Sequence, residues 1–398
     1  MPSETGQEPL IDVKLGDSRV TLLGTAHVSR ASADTVRNLL DQGSYDAVAV
    51  ELCPSRYNAL LNPDVLAKMD LFRVLRERKV PMVMASLALG AYQQRLADQF
   101  GIEPGAEQRQ AIASAQAHGL PILLIDREIG VTLKRVSRNI SWWKRFSLFA
   151  GLLASLTSRE QVDEAEIERL KEGDVLESTF AQFADQERDL FVPLIQERDR
   201  YMAARLREEL DAGGHENVLA VVGAGHLRGI SEHLQEQEPP GNVVAELDRI
   251  PPPSRWPKVI PWLIVGLVML GFVAGFLRSP ALGWQLLGDW VLINGVLCAL
   301  GTVLAAGHPL TVITAFLAAP VTSLNPTIGA GMVTAAVEIF LRRPQVGDFG
   351  RLRSDTTRLS GWWRNRVSRT LLVFLFSTLG SAAGTYLAGF RIFGRLTA

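Results

Sequence analysis

The sequence predicts two regions of different fold class: an α/β domain with a mostly parallel sheet over residues 1–248, and an all-α, multi-pass transmembrane domain over residues 259–398. In the first region, apolar runs of strand length alternate with helical stretches, which is typical of a parallel sheet covered by helices. In the second, long uncharged apolar segments follow one another. The Pro-rich segment 249–258, RIPPPSRWPK, cannot continue a helix and is therefore interpreted as a linker.

The first region opens with a predicted β-hairpin, IDVKL and RVTLLG joined by a turn at Gly16–Asp17. A helix follows, capped by Ser29 or Ser32 and running through ADTVRNLLDQ. Three apolar runs predict buried strands of the parallel sheet. They are DAVAVEL (46–52), LPILLID (120–126) and NVLAVVG (217–223).

Three further stretches complete the prediction for the first region. The charged stretch 185–214 predicts a long helix that ends in glycines. GNVVAEL (241–247) predicts a last strand. The apolar stretch 141–156, with its paired tryptophans, predicts an interfacial helix on a membrane, a lid over a site, or a plain packing helix.

The second region contains about five predicted membrane segments. Residues 259–277, 284–306 and 371–390 are long and apolar enough to cross a bilayer core as helices. Two shorter stretches flank Asn325–Pro326 and predict either two tilted helices or a broken pair that meets within the membrane. Their glycines favour tight helix packing, although a Gly-rich broken pair with an acid, Glu338, is also found along solute paths.

A basic loop at 342–370 predicts the orientation. Positive residues are enriched on the cytoplasmic side of membrane segments, and four predicted crossings separate this loop from the first region. We therefore expect a multi-pass protein of the cell membrane whose N-terminal domain is cytoplasmic. The polar, acidic N-terminus, which does not resemble a signal peptide, agrees. The arginines of the loop are Arg342, Arg343, Arg351, Arg353, Arg358, Arg364, Arg366 and Arg369.

Whole-chain composition disfavours some partners. The formal net charge is −1, so nothing global indicates a nucleic-acid partner. The two cysteines, Cys53 and Cys298, lie in unrelated contexts and do not indicate a disulfide framework. Cys53 lies close to Glu51, but no histidine adjoins it, and we expect a buried small residue.

Functional side chains follow each predicted parallel strand. Because ligands bind at the carboxyl ends of strands in open α/β sheets, we expect these side chains to converge on one edge. Glycines beside the histidines let the backbone turn sharply and leave room around an imidazole. The residues concerned are Gly24 and His27 after the first strand, Glu51 after the second, Asp126 and Arg127 after the third, and Gly223, Gly225 and His226 after the fourth.

Two imidazoles and a carboxylate are a suitable ligand set for a divalent transition metal, so His27, His226 and Glu51 are the predicted ligands. Such a metal lowers the pKa of bound water and polarises a carbonyl, as in hydrolysis. Glu51 is either a ligand or a general base, since spacing does not separate the two roles. Three arginines are predicted to hold a substrate carboxylate through paired hydrogen bonds: Arg56, Arg127 and Arg198.

Each of these residues also has a structural interpretation. A histidine at a strand end is often a hydrogen-bonded structural residue, and Glu51 could pair with Arg56. Arg198 lies in a charge-rich stretch where Glu–Arg pairs at helical spacing on a solvated face are the ordinary arrangement. His118, His215 and His233 lie in polar contexts at helix ends and are assigned no role.

Taken together, these motifs resemble the TraB/PrgY family, which is related to the Tiki membrane-anchored metalloproteases. The resemblance rests on LLGTAHVS, VAVELCPSRY, DREIGVTLKR, ERDRYMA and VVGAGHLRGI, in that order, and on SLNPTIGAG and RRPQVGDF in the second region. It implies an α/β fold of the erythromycin-esterase and ChaN-like group. It covers nearly the whole chain.

The resemblance implies a metal-dependent peptidase site at His27, His226 and Glu51, with manganese or cobalt favoured and zinc or iron also compatible. Its bacterial pheromone-shutdown branch implies a signalling peptide as substrate or ligand. Tiki enzymes act outside the cell, whereas the predicted orientation places this domain inside. Either the substrate is a cytoplasmic peptide, or the predicted orientation is wrong.

Two other classes of function remain open from the sequence. One is a peptide-binding protein that sequesters its ligand in the same cleft without cleaving it. The other is a transporter whose N-terminal domain regulates the membrane region, with Asn325 and Glu338 in its path. The expected partners are a peptide and the lipid bilayer, and a homo-oligomer is compatible with either.

Overall fold

The computed structural model describes residues 8–25, 30–61, 70–100, 105–141, 143–144, 147, 187–252 and 256–397. Contacts divide the described chain into two compact units. The first contains residues 8–25, 30–61, 93–100, 105–141, 143–144, 147 and 187–252. The second contains residues 70–92 and 256–397. The second unit thus combines the C-terminal region with a short segment of the N-terminal region.

The first unit is built on a five-stranded sheet in the order β1-β2-β5-β3-β4. β1 pairs antiparallel with β2, and the other neighbours are parallel. This confirms the predicted hairpin and the mostly parallel sheet. The strands are β1 Leu10–Leu15, β2 Ser18–Thr25, β3 Ala47–Val50, β4 Ile122–Leu124 and β5 Asn217–Gly223.

Helices cover both faces of the sheet. The helices up to residue 248, in chain order and whichever unit they belong to, are α1 Arg30–Gln42, α2 Pro54–Leu61, α3 Leu71–Arg76, α4 Val80–Phe100, α5 Ala106–Ala117, α6 Ile129–Asn139, α7 Arg188–Phe191, α8 Glu197–Gly213, α9 Leu227–Leu234 and α10 Pro240–Asp248. One core cluster joins α8 and α9 to one face, and another joins α1 and α5 to the opposite face. Both clusters consist of aliphatic side chains removed from water, which is the main favourable contribution to folding.

The predicted long helix is interrupted. A π-helical turn, Val192–Gln196, joins α7 to α8, and it contains Pro193. Proline cannot donate a main-chain hydrogen bond, so a local change of pitch at this position is expected. The helix ends as predicted, with Gly214 in the left-handed conformation at φ 62°.

The predicted strand at 241–247 is wrong, because this segment is helix α10. Val243 and Leu247 are four residues apart and pack together against Tyr201 and Ala204 of α8. Residues at this spacing share a face in a helix and also in a strand, so the apolar pattern did not distinguish the two. Pro240 in the first turn favours the helix, since its fixed φ suits that position.

The second unit is helical. After α3 and the first part of α4, its elements are α11 Trp256–Arg278, α12 Pro280–Leu304, α13 Pro309–Thr322, α14 Ala330–Arg342, α15 Val346–Gly350, α16 Leu352–Asp355, α17 Leu359–Arg364 and α18 Arg366–Thr397. Three helices of the described chain are long and apolar enough to span a membrane: Val259–Arg278, α12 and α18. The predicted linker ends earlier than expected, because α11 begins at Trp256.

Close packing of α12 against α18 organises the second unit. Added Cβ atoms at Gly301 and Gly380 would lie 2.2 Å from main-chain oxygens of Phe376 and Leu297 respectively. Each glycine therefore allows one backbone to approach the other, as in small-residue helix contacts. The two helices are antiparallel, because a later residue of α12, Gly301, lies near an earlier residue of α18, Phe376, while Leu297 lies near Gly380.

α13 and α14 form a helical hairpin beside α12. Its tip is near Trp290, whose Nε1 donates to the Pro320 carbonyl at 3.0 Å. Its other end is near the end of α12, where Arg342 donates to the Ala306 carbonyl at 3.1 Å. The hairpin therefore lies beside α12 from about residue 290 to residue 304. At the rise of an α-helix this is about 21 Å, shorter than a bilayer core of about 30 Å.

The acid singled out in this hairpin, Glu338, is fully buried. Its Oε2 accepts from the His308 main-chain N–H at 2.9 Å and from the Thr311 hydroxyl at 2.6 Å, while Arg342 Nε lies 2.6 Å from Oε1. These contacts tie the start of α13 to the end of α14. The predicted helix at 141–156 lies almost wholly outside the described residues.

Candidate functional site

The carboxyl ends of the parallel strands meet at one edge, as the sequence predicts. Thr25 is paired with Gly223, and Val50 is paired with both Val221 and Leu124. Glu51, the residue after β3, accepts a hydrogen bond on Oε2 from the Gly223 main-chain N–H at 2.7 Å. The glutamate and the glycine-rich turn that leads to His226 are thereby joined directly.

Strand alternation determines the direction of Glu51. Ala47 and Ala49 of β3 belong to the core on the α8 face, whereas Val48 and Val50 belong to the opposite core. Because side chains alternate along a strand, the next position points toward α8. Glu51 therefore meets side chains from the first turn of α8.

Arg198, in that first turn, is the centre of a buried cluster, which we call the Arg198 cluster and which consists of Glu51, Asp126, Arg198, Asp199 and His226. Arg198 Nη2 donates to Glu51 Oε1 at 2.5 Å and to Asp126 Oδ2 at 2.9 Å. Its Nε donates to Asp126 Oδ1 at 3.0 Å, so the aspartate is held by two parallel bonds. Its Nη1 lies 3.1 Å from His226 Nε2.

These contacts define the tautomer of His226. A guanidinium only donates, so His226 Nε2 must present its lone pair to Arg198. The proton of the neutral ring is then on Nδ1, which donates to Asp199 Oδ1. Nε2 also lies 3.7 Å from Glu51 Oε1. The structure thus presents an imidazole lone pair beside a carboxylate oxygen.

Gly229 of α9 makes room for Asp199. A Cβ at this position would lie 2.1 Å from Asp199 Oδ2. The close approach of α9 to α8 therefore requires glycine. Burial raises the pKa of Asp199, and the hydrogen bond from His226 and the charge of Arg198 offset part of that rise.

Burial also acts on Arg198, but charge outweighs it. Burial lowers the pKa of its guanidinium, whereas the charges of Asp126 and Glu51 raise it by more, so that the pKa is raised overall. Arg198 is therefore a permanent cation at the centre of the cluster.

Arg127 lies apart from the Arg198 cluster, although it adjoins Asp126 in sequence. Its buried guanidinium donates to Glu197 Oε2 at 2.9 Å, to the Pro193 carbonyl at 2.9 Å and to the Thr132 hydroxyl at 3.0 Å. Burial lowers the pKa of Arg127, and Glu197 opposes that effect. In this arrangement Arg127 joins the end of β4 to the π-helical turn, which positions the start of α8.

Arg56 lies at the rim of the cluster. Its Nη1 is 3.3 Å from Asp126 Oδ2, and its side chain is 41% exposed. Of the predicted substrate-binding arginines, it is the one whose guanidinium combines contact with the cluster and substantial exposure to solvent.

The predicted site residues are thus distributed as follows. Glu51, Asp126, Arg198 and His226 come together, with Arg56 beside them and Gly223 hydrogen-bonded to Glu51. Gly24 acts in packing, because a Cβ there would lie 2.3 Å from Leu227 Cδ1. Gly225 lies in the 3-10 turn that ends at His226. His27 lies outside the described residues.

Sequence reasoning missed Asp199 and Gly229. A signal for Asp199 was present, because it lies two residues before Tyr201, Met202 and Ala203, which are all buried. An acid on a buried helical stretch needs a partner, since a buried unpaired charge is costly. Nothing in the sequence distinguishes Gly229 from any other helical glycine.

The donor chemistry of two predicted ligands fits a metal. A metal-binding histidine presents one nitrogen lone pair and has its other N–H held by a carboxylate, and His226 with Asp199 has this form. Glu51 Oε1 is close to the same lone pair. Among the described residues, however, no group of three His, Cys, Asp or Glu side chains is arranged to hold a metal, and Arg198 donates to both donor atoms.

The fold and the cluster define a class: an α/β protein with an acid–arginine–histidine site at the carboxyl edge of a mostly parallel sheet, joined to a region of long apolar helices. Residues 9–244 match the TraB/PrgY/gumN family, and residues 256–397 match the family described as TraB family protein, C-terminal domain. The chain belongs to the TraB/PrgY/gumN family.

Relatives agree over different lengths. An uncharacterized protein of Methanocaldococcus jannaschii is 31% identical over 92% of this chain and 93% of its own length. TraB domain-containing proteins of Bos taurus and Homo sapiens are 30% and 28% identical over 61% and 60% of this chain, and over 68% and 67% of their own lengths. The likeness to the archaeal protein therefore includes both units.

Proposed function

We propose that the chain is a membrane-anchored, metal-dependent peptidase that acts on peptides, signalling peptides among them. The observation that carries the proposal is the neutral His226, whose Nδ1 proton is held by Asp199 and whose Nε2 lone pair lies 3.7 Å from Glu51 Oε1. This pair stands at the edge of the sheet where α/β proteins bind ligands. Family membership agrees with it.

The charge of the site suits a cation. Three carboxylates, of Glu51, Asp126 and Asp199, face two guanidiniums, of Arg56 and Arg198. A divalent transition metal, with manganese or cobalt favoured and zinc or iron compatible, would be held by His27, His226 and Glu51 and would supply an activated water and a polarised carbonyl.

The residues of the chain have separate tasks in this proposal. Asp199 keeps the His226 proton on Nδ1, so that Nε2 remains a donor of its lone pair. Glu51 is a ligand or the general base that takes a proton from water. Arg56 is exposed at the rim and binds a carboxylate of the peptide. Arg198 holds Asp126 and Glu51 in place.

The membrane part of the proposal rests on α11, α12 and α18. Phe272 packs edge-on against Trp290, and a Cβ at Gly275 would touch Leu286, so α11 and α12 are antiparallel. The start of α11 and the basic loop after α14 are therefore at the same end of these helices. By the positive-inside rule both are cytoplasmic. The α13–α14 hairpin does not change this side, because the chain enters and leaves the hairpin at the same end of α12.

Metal content and cleavage test the proposal together. The full chain in detergent is expected to bind about one equivalent of manganese or cobalt and to cleave members of a fluorogenic peptide library. His226→Ala is expected to lose both, and Glu51→Gln to lose cleavage. His118→Ala is the matched control, because its histidine lies outside the cluster. Wild-type protein that holds no metal after reconstitution and cleaves no peptide would contradict the proposal.

A second candidate function is peptide binding without cleavage. Arg198 favours it, because this residue satisfies Glu51, Asp126 and His226 with no metal. In that case Arg56→Gln weakens peptide binding, whereas His226→Ala has little effect on it. Fluorescence anisotropy with labelled peptides, with and without a chelator, separates the two candidates.

A further inference from the structure

The basic loop of the second unit is a folded structure. We call residues 342–369, which include α15, α16 and α17, the basic cap. Trp362 is buried, and its Nε1 donates to the Thr356 carbonyl at 3.0 Å. Asn365 Nδ2 donates to the Asp348 carbonyl at 2.7 Å and to Asp355 Oδ2 at 2.9 Å. These bonds hold the backbone of the cap in a defined arrangement.

The basic cap is attached to the end of the apolar helices. Trp363 Nε1 donates to the Leu304 carbonyl at 2.8 Å, and Leu304 is the last residue of α12. Arg342 donates to the Ala306 carbonyl nearby. The cap therefore begins where the apolar surface of α12 ends, which is the level of lipid headgroups if α12 spans a bilayer.

The cap carries more positive charge than it neutralises. It contains eight arginines and two aspartates. Asp348 forms ion pairs with two of the arginines. Its Oδ1 lies 3.7 Å from Arg351 Nη2, and its Oδ2 lies 4.0 Å from Arg366 Nε. Within the described part of the chain, no carboxylate lies within 4.0 Å of Arg343, Arg358 or Arg364. All three are exposed.

Apolar side chains are exposed on the same cap. Val346 is 71% exposed and Leu359 is 38% exposed. Leu359 directly follows Arg358, and Val346 lies three residues after Arg343. Arginine beside exposed aliphatic residues suits the boundary between headgroups and acyl chains, where each group meets a matching environment.

We propose that the basic cap is a binding site for anionic phospholipid headgroups, with Arg343, Arg358 and Arg364 as its exposed cations. Guanidinium pairs well with phosphate oxygens, and continuity with the apolar helices favours a lipid over a soluble anion or a nucleic acid. The inference does not depend on the peptidase proposal. A chain that binds anionic lipid but cleaves no peptide would support lipid binding by the basic cap and contradict the peptidase proposal.

The test compares two lipids on the full chain in detergent. Bound short-chain phosphatidylglycerol and phosphatidylcholine are counted by native mass spectrometry. We expect selective binding of phosphatidylglycerol. The triple variant Arg343→Gln/Arg358→Gln/Arg364→Gln is expected to weaken it roughly a hundredfold. The matched control is Arg278→Gln/Arg391→Gln/Arg395→Gln, which removes the same charge at the opposite end of the helices and is expected to keep the selectivity.

Several results would overturn the inference. One is equal binding of the two lipids, and another is an equal loss in both triple variants. Competition by glycerol phosphate at the same concentration as the lipid would show a site for a free anion. Tighter binding of a single-stranded oligonucleotide would show a nucleic-acid surface. Circular dichroism melting of each variant verifies that the loss is not due to unfolding.

Discussion

Arg198 donates a hydrogen bond from Nη1 to Nε2 of His226, across 3.1 Å. The lone pair that a metal would need is therefore engaged by a cation of the chain itself. The same guanidinium also forms ion pairs with Glu51 and Asp126. The stability of the cluster and its affinity for metal are coupled through this one side chain.

Removal of Arg198 is expected to destabilise the first unit. Arg198→Met removes this guanidinium from two buried carboxylates, Glu51 and Asp126, and leaves Asp126 paired with the more exposed Arg56. Breaking a buried pair costs roughly 3–5 kcal/mol. Hydrogen exchange of the β3 and β5 amides in the full chain measures this loss. The control is Arg205→Met on the same helix, whose pairs with Glu208 and Glu209 are more exposed and contribute about 1 kcal/mol or less. Equal losses in the two variants would contradict the central role of Arg198.

The same substitution is expected to increase metal affinity. With Arg198 gone, His226 Nε2 and Glu51 Oε1 lose their competing donor, and the excess negative charge favours a divalent cation. Isothermal titration with Mn²⁺ should give a lower Kd for Arg198→Met than for wild type. Adding His226→Ala to Arg198→Met should abolish the gain. If Arg198→Met binds Mn²⁺ no more tightly, arginine and metal do not compete for these atoms.

Gly229 is expected to be essential for the position of Asp199. Gly229→Ala places a Cβ 2.1 Å from Asp199 Oδ2, so we expect the aspartate to move and its hydrogen bond with His226 to be lost. We expect a loss of roughly 1–3 kcal/mol and a shift of the His226 proton off Nδ1, seen in ring ¹⁵N chemical shifts. Gly130→Ala is the control, because nothing lies within 4 Å of its added Cβ. An unchanged His226 spectrum in Gly229→Ala would refute the coupling.

Glu197 is expected to make stability fall in acid. Burial raises the pKa of its carboxyl, but hydrogen bonds from Arg135 and Arg127 lower it by more, so the pKa is below its ordinary value of 4.5. Such a group stabilises the fold above the unfolded-state pKa, and this stability is lost as pH falls through the folded-state pKa. Melting of the full chain between pH 7 and pH 3 should show a shallower decline for Glu197→Gln. Glu246→Gln, at an exposed position, should follow wild type.

Glu338 is expected to hold the α13–α14 hairpin together. Glu338→Leu removes the acceptor of the His308 N–H and the Thr311 hydroxyl and leaves Arg342 without a carboxylate. Glu338→Gln keeps one acceptor oxygen. We therefore expect a larger fall in Tm in detergent for leucine than for glutamine. The reverse order would mean that the hydrogen bonds accepted by this side chain from His308 and Thr311 do not stabilise the hairpin.

The strands and the long apolar helices were readable from local patterns. NVLAVVG and DAVAVEL are apolar runs that few structures other than buried strands accommodate. In α11, residues 259–277 carry no charge, and α12 is apolar apart from Asp289. GNVVAEL was not readable in this way. Its valines and leucine have a spacing that suits a strand or a helix, and only contact with Tyr201 and Ala204 decides between them.

By itself, the sequence determined which residues stand at the strand ends, because strand and turn signals are local: Glu51, Asp126 and the Gly-rich turn before His226 were all identified. Only the tertiary structure decided what they contact. The π-helical turn at Pro193 and the packing of α8 bring Arg198 between Glu51 and His226 and direct Arg127 away to Glu197. Those partners are about 30 to 150 residues apart in the chain, and side-chain direction over such separations depends on packing, which local patterns do not encode.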